Sequence, residues 1–322
     1  MKSTTSHNPA AYAARLATPE LATSETLPVA RSRWLDFAEL TKPRIALMVL
    51  FTVAIGAMLA SPAVPDVALL INTLIGTGLV AAGASALNQL LERQSDARMQ
   101  RTENRPLPAA RLQSVEVLAF GLALSIGGIV WLAVTGQHPI AVAVAAFTHL
   151  SYVFVYTPLK SRTTLNTLVG AVPGALPPII GWTSVTGTID WQAAAIFLVV
   201  FLWQVPHFLA IAWIYREDYA RAGLKMLPVE DADGALTGRQ MVLYCLALVP
   251  VSLLPVLHQK AGWVYGIGAV ALGALFLAAA VGFALDPANG RARRVLRVSL
   301  IYLPALLALM LVEAFVTGKI QG

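Results

Sequence analysis

Nine long apolar runs leave this chain few ways to fold. They fall at about residues 43–61, 67–91, 115–135, 139–157, 165–186, 191–214, 241–257, 263–284 and 297–316. Each is close to the roughly 17–25 residues that an α-helix needs to cross a bilayer. The expectation is an all-α polytopic membrane protein, nine transmembrane helices in a bundle around a central cavity. Composition agrees, since charged residues are only 12% of the 322, against roughly 25% in an average soluble domain.

The basic residues sort the connecting loops into two sets. The segment through Arg44, the loops 92–114, 158–164 and 215–240, and the stretch from Arg291 to Arg297 carry 21 of the 23 lysines and arginines. Only Lys260 and Lys319 fall on the other side. Such bias places the N-terminus and the long loops in the cytosol and the C-terminus outside, in a cell (inner) membrane. The net charge of +6 is therefore topology and gives no reason to expect nucleic acid as a partner; the partner is the lipid bilayer. Residues 1–34 are rich in Ala, Ser, Thr and Pro without hydrophobic periodicity, and read as a mostly disordered tail ahead of a membrane domain at 35–322. The tail lacks the apolar core of a signal peptide. Cys245 lies alone in an apolar run and reads as packing.

The chemistry concentrates between Asn88 and Pro108, where an apolar run turns into acids, amides and arginines. Asn88, Glu92 and Asp96 are spaced by four, so they share one face of a helix. An amide and two carboxylates on one face make an oxygen-rich site for a hard cation such as Mg²⁺. Arg98, Arg101 and Arg105 follow and suit an anion that the metal also touches, such as a diphosphate. The plain alternative is a solvated, topology-setting loop. A second cluster follows the sixth run: Glu217 and Asp218 are candidate ligands for a second cation, with Arg221 and Lys225 beside them. Tyr156 and Lys160 close the fourth run, where the lysine can meet a phosphate. The Gly- and Pro-rich stretch 170–178 in the fifth run is expected to bend its helix and open a cavity wall. His207 in the sixth run and His149 in the fourth read either as buried, hydrogen-bonded side chains or as contacts to a substrate.

A cation and anion site at the mouth of an apolar bundle fits a polyprenyl diphosphate. Metal, Lys and Arg would stabilise the departing diphosphate, and the bundle would keep water from the allylic cation. The pattern Asn88-x-x-x-Glu92-x-x-x-Asp96 resembles the signature of the UbiA-type membrane prenyltransferases. Within that family the strings L-T-K-P-R (40–44), N-Q-L-L-E-R to R-T-E-N-R-P-L-P (88–108), Y-T-P-L-K (156–160), T-L-N-T-L-V-G-A-V-P-G-A-L-P-P (164–178), W-Q-V-P-H-F (203–208) and D-Y-A-R-A-G-L-K-M-L-P (218–228) are similar to the protohaem IX farnesyltransferases, or haem O synthases.

The resemblance implies transfer of a farnesyl group from farnesyl diphosphate to a vinyl group of haem b with addition of water, giving haem O, with a haem A synthase downstream. It implies that Asn88, Glu92 and Asp96 hold Mg²⁺ and diphosphate, that Arg105 and Lys160 contact the diphosphate, that Asp218 serves a second cation, and that His207 touches haem. Two departures stand out. Glu92 replaces the usual Asp, and Ile214 and Ala222 flank Asp218 where a D-x-x-x-D pair would need an acid. Two rivals remain at this point: a prenyltransferase with an aromatic acceptor, and a transporter. Transporters place ionisable groups near the membrane midplane, whereas here Glu313 is the main acid away from one set of helix ends.

Overall fold

The computed structural model describes residues 32–61, 65–258 and 261–317. The expected tail lies mostly outside these, as do Lys260 and Lys319. The expected boundary at residue 34 falls inside a short helix, Arg33–Leu40. The described residues form helices and no strand. Nine of these helices are long and apolar enough to cross a membrane: Pro43–Ala60, Val67–Asp96, Ser114–Val134, Pro139–Leu159, Asn166–Thr186, Trp191–Ile214, Ala235–Leu257, Trp263–Leu285 and Asn289–Ala314. They are called the first to ninth spans below.

The second span decides where the chemistry lies. It holds 30 residues, about 45 Å at 1.5 Å per residue, against a hydrocarbon core of about 30 Å. It is several turns longer than a perpendicular crossing needs, and its charged residues Glu92, Arg93 and Asp96 all lie in its last two turns. Asp66 caps its start by accepting from the Leu69 N–H at 2.8 Å. The second and third spans pack along each other through small residues. A Cβ at Gly128 would lie 2.8 Å from the Gly76 carbonyl oxygen, and one at Gly83 would meet the Ser125 hydroxyl. Backbones approach this closely only where side chains are absent.

The fifth span is the most enclosed, with 67% of its window buried against 22–50% for the others. As expected from its Gly and Pro content, it breaks into Asn166–Ala175 and Pro177–Thr186. Pro177 has no N–H to continue the ladder. The second half packs on the first span, where the backbones of Gly56 and Gly181 lie against the Pro178 and Val53 carbonyls. The first half packs on the sixth span, which also meets the seventh and ninth. The seventh and ninth helices begin at Ala235 and Asn289, earlier than hydropathy alone suggests. Arginines end an apolar window, yet they are good helix formers and do not end the helix itself.

The fourth span changes pitch before its end. Ser151–Tyr156 is a π-helical segment, and the Thr157 N–H reaches back five residues to the Tyr152 carbonyl. The Thr157 hydroxyl donates to the same carbonyl at 2.9 Å.

Candidate diphosphate and metal site

The start of the first span and the ends of the second and fourth converge on one polar cluster. Asn88 is buried; its Nδ2 donates to the Thr157 hydroxyl at 3.1 Å, and its Oδ1 accepts from Lys42 Nζ at 3.1 Å. One turn on, Glu92 pairs with Lys160 at 2.7 Å. One more turn on, Asp96 Oδ2 pairs with Arg105 Nη1 at 2.7 Å. The three residues singled out by their spacing thus face three different cations. The other Asp96 oxygen, Oδ1, is buried without a hydrogen-bond partner. A buried carboxylate oxygen left open is costly unless something cationic meets it, so this donor set fits a hard divalent ion. Among the described residues, no three His, Cys, Asp or Glu side chains gather closely enough to form a metal cluster by themselves.

Lys42 was not singled out in the sequence. It lies in L-T-K-P-R, ahead of an apolar run, where a lysine is ordinary. In the structure its backbone is left-handed, φ +48°, immediately before Pro43. A non-glycine residue in that region carries strain of about 1–3 kcal/mol, and such strain clusters at functional sites. The conformation turns Lys42 Nζ toward Asn88. Burial, and then the charge of Arg105, draw its pKa down to about 8. Lys160 behaves oppositely. Burial pulls its pKa down, but the Glu92 carboxylate together with Tyr156 and Tyr152 outweighs burial and leaves it well above the usual lysine value. Its ammonium also lies 4.6 Å from the centre of the Tyr156 ring, a cation–π contact. Tyr156 in turn fills the space a side chain at Gly170 would occupy.

The loop after the sixth span closes on the same end. The Lys225 backbone N–H donates to the Lys160 carbonyl at 2.7 Å. The buried Asn166 amide donates to the carbonyls of Lys225 and Thr163, each at 2.6 Å. Arg101 lies over the rings of Tyr215 and Tyr219, with centroids at 4.6 and 5.5 Å, and donates to the Tyr219 hydroxyl at 3.2 Å. Met99 packs with Ala212, Ala222, Leu224 and Met226 beneath. The two acidic helix ends therefore lie on one side of the bundle.

Not every expected residue reaches the cluster. Arg98 is exposed, and its one hydrogen bond among the described residues is from its backbone N–H to the Ser95 carbonyl at 3.0 Å. Arg101 is committed to the two tyrosines and acts as a tie between loops. Arg221 pairs with Asp218 on the same short helix, and the Lys225 side chain is exposed, its contribution being backbone. Glu217 and Asp218 differ in exposure. Successive residues on a helix point about 100° apart, and here Asp218 turns inward while Glu217 is exposed. Besides Lys42, two further residues carry no cue in their local pattern: Thr157, which accepts from the Asn88 amide, and Asn166.

Known proteins resemble this chain in sequence and in fold. The chain matches the UbiA prenyltransferase family over residues 49–309. A protoheme IX farnesyltransferase of Solibacter usitatus is 47% identical over 289 residues, covering 86% of this chain and 98% of the relative. One from Salinibacter ruber is 44% identical, covering 87% and 99%. Among solved structures, one of a digeranylgeranylglyceryl phosphate synthase superposes with a TM-score of 0.73 at 18% identity, covering 87% of this chain and 98% of that one. A UbiA homologue from Archaeoglobus fulgidus bound to DMAPP and Mg²⁺ gives 0.56 at 16%, covering 85% and 99%. With the match spanning most of the nine helices and full-length relatives at 44% and 47% identity, the chain belongs to the UbiA prenyltransferase family.

Proposed function

We propose that this chain transfers the farnesyl group of farnesyl diphosphate to a vinyl group of haem b with addition of water, giving haem O and diphosphate. The carrying observation is the cluster of Lys42, Arg105 and Lys160 against Glu92 and Asp96 at one end of an apolar bundle, in a chain collinear with relatives named protoheme IX farnesyltransferase. Three bases against two acids leave one positive charge for an anionic head group. In the reaction the C–O bond to diphosphate breaks, the allylic carbon bonds to one vinyl carbon, and water adds to the other with loss of a proton. Lys42, Arg105 and Lys160 hold the diphosphate and stabilise the charge that grows as it leaves. Tyr156 shapes the wall beside them. Asn88, Glu92 and Asp96 would hold Mg²⁺, with Asp218 serving a second cation, and the metal would supply Lewis-acid stabilisation of that leaving group. The sorting of Lys and Arg supports a cell-membrane protein with the site on the cytosolic side. A haem A synthase is then the consumer of the product.

The transporter reading loses its main support in the structure. Glu313 is engaged at the other end of the ninth span, where its Oε1 accepts from the Gly262 N–H at 2.9 Å. Purified protein in nanodiscs, given farnesyl diphosphate, Mg²⁺ and either haem b or 4-hydroxybenzoate, is expected to yield haem O and no prenylated benzoate. Product from 4-hydroxybenzoate alone, or ligand flux without any product, would overturn the proposal.

The site also sets a pH dependence. Lys42 titrates near pH 8. Below that it is charged and ready for the anion; above it, binding must first take up a proton. Farnesyl diphosphate affinity is expected to fall by up to about tenfold per pH unit above 8. Lys42→Met should flatten that part of the profile, as measured by calorimetric titration between pH 7 and 10. An unchanged slope in the variant removes Lys42 from the diphosphate contacts.

A further inference from the structure

His207 and Ser299 form a unit that the diphosphate site does not use. His207 lies seven residues before the end of the sixth span, about 10 Å down the helix axis. Its Nδ1 is 2.8 Å from the Ser299 hydroxyl on the ninth span. That hydroxyl is also 2.7 Å from the Leu296 carbonyl. A carbonyl can only accept, so the single hydroxyl hydrogen goes to Leu296. Ser299 Oγ must then accept from His207, which fixes the proton on Nδ1 and leaves the lone pair on Nε2.

The ring plane is fixed as well. Trp203 stacks on His207 with centroids 4.8 Å apart and planes inclined by 24°, and its Nε1 donates to the Ser299 carbonyl at 2.7 Å. One serine thus anchors both rings. The free nitrogen, Nε2, has no hydrogen-bond partner among the described residues and is not sealed off by protein. His149 differs. It is buried between the fourth and second spans, with a hydrogen bond to the Val80 backbone and an enclosed Nδ1, as a packing histidine would be.

We infer that His207 Nε2 is the axial ligand of the haem iron, and that Ser299 is the positioning residue that sets its tautomer. The inference rests on haem as the acceptor. Neutral imidazole is a natural ligand for iron, and metal-binding histidines commonly donate their other N–H to an oriented oxygen. Ligation would hold the porphyrin by its centre, within the apolar bundle below the site that grips the diphosphate.

The test is spectroscopic and needs no turnover. Full-length protein in nanodiscs is titrated with haem b, without farnesyl diphosphate, and followed by Soret absorption and electron paramagnetic resonance. The wild type should show a histidine-ligated spectrum. His207→Ala should lose it, and added imidazole should restore it. Ser299→Ala should weaken haem binding by roughly 10–100-fold, the usual effect of removing a partner that orients a ligand. Retained farnesyl diphosphate binding in each variant shows that the bundle is folded, and His207→Gln serves if His207→Ala is not. A spectrum unchanged in His207→Ala or His207→Gln overturns the inference, whether or not haem O is formed. A His207-dependent spectrum in a protein that makes no haem O supports ligation while sinking the proposed reaction.

Discussion

Asp96→Asn is expected to lower turnover of farnesyl diphosphate and haem b by a factor on the order of 10²–10³, the typical effect of removing one preorganised electrostatic group. The side chain keeps its size, and its amide can still hydrogen-bond. What disappears is the charge on the open Oδ1 and the ion pair to Arg105. The bundle should survive. Arg105 is partly solvent-accessible, so losing its partner strands no buried cation. Unfolding temperature should therefore move little while the product peak collapses, and raising Mg²⁺ should not restore it. Near-normal turnover would take Asp96 out of the site.

The largest expected effect on stability comes from the crossing of the first and fifth spans. A Cβ at Gly181 would fall on the Val53 carbonyl oxygen, and one at Gly56 on the Pro178 carbonyl oxygen. Both obstacles are backbone, so no rotamer change relieves them. Gly181→Ala should destabilise by about 1–3 kcal/mol, the usual range for overpacking, and Gly181→Val by more. The double variant Gly56→Ala with Gly181→Ala should cost less than the sum of the singles, because the first substitution already parts the helices that the second would push on. Thermal unfolding in detergent reads all four variants against the wild type. Unchanged melting in Gly181→Ala would show that the two helices are free to separate.

The spans were legible because bilayer thickness sets a length and lipid forbids unpaired backbone. The alignment of Asn88, Glu92 and Asp96 was legible because helical spacing is arithmetic. Their partners were not. Nothing in L-T-K-P-R says that Lys42 adopts a left-handed backbone and turns toward a residue 46 positions away. Arg98, Arg101 and Arg105 look equivalent in the sequence, and only the path of the loop sends Arg105 to Asp96 and Arg101 onto two tyrosines. The tautomer of His207 depends on Ser299, 92 residues away. Long-range polar pairing is set by which helices become neighbours, and local pattern carries little of that.

The widened turn at Ser151–Tyr156 has a consequence for how such a protein can change. One added residue swings everything downstream around the helix axis by about 100°. The compass bearing of Lys160, and so its meeting with Glu92, is tied to how many residues precede it as well as to their identity. Exchanging one amino acid for another tests only half of that dependence. A lineage that deleted a single codon here would keep its lysine and aim it at the wrong neighbour.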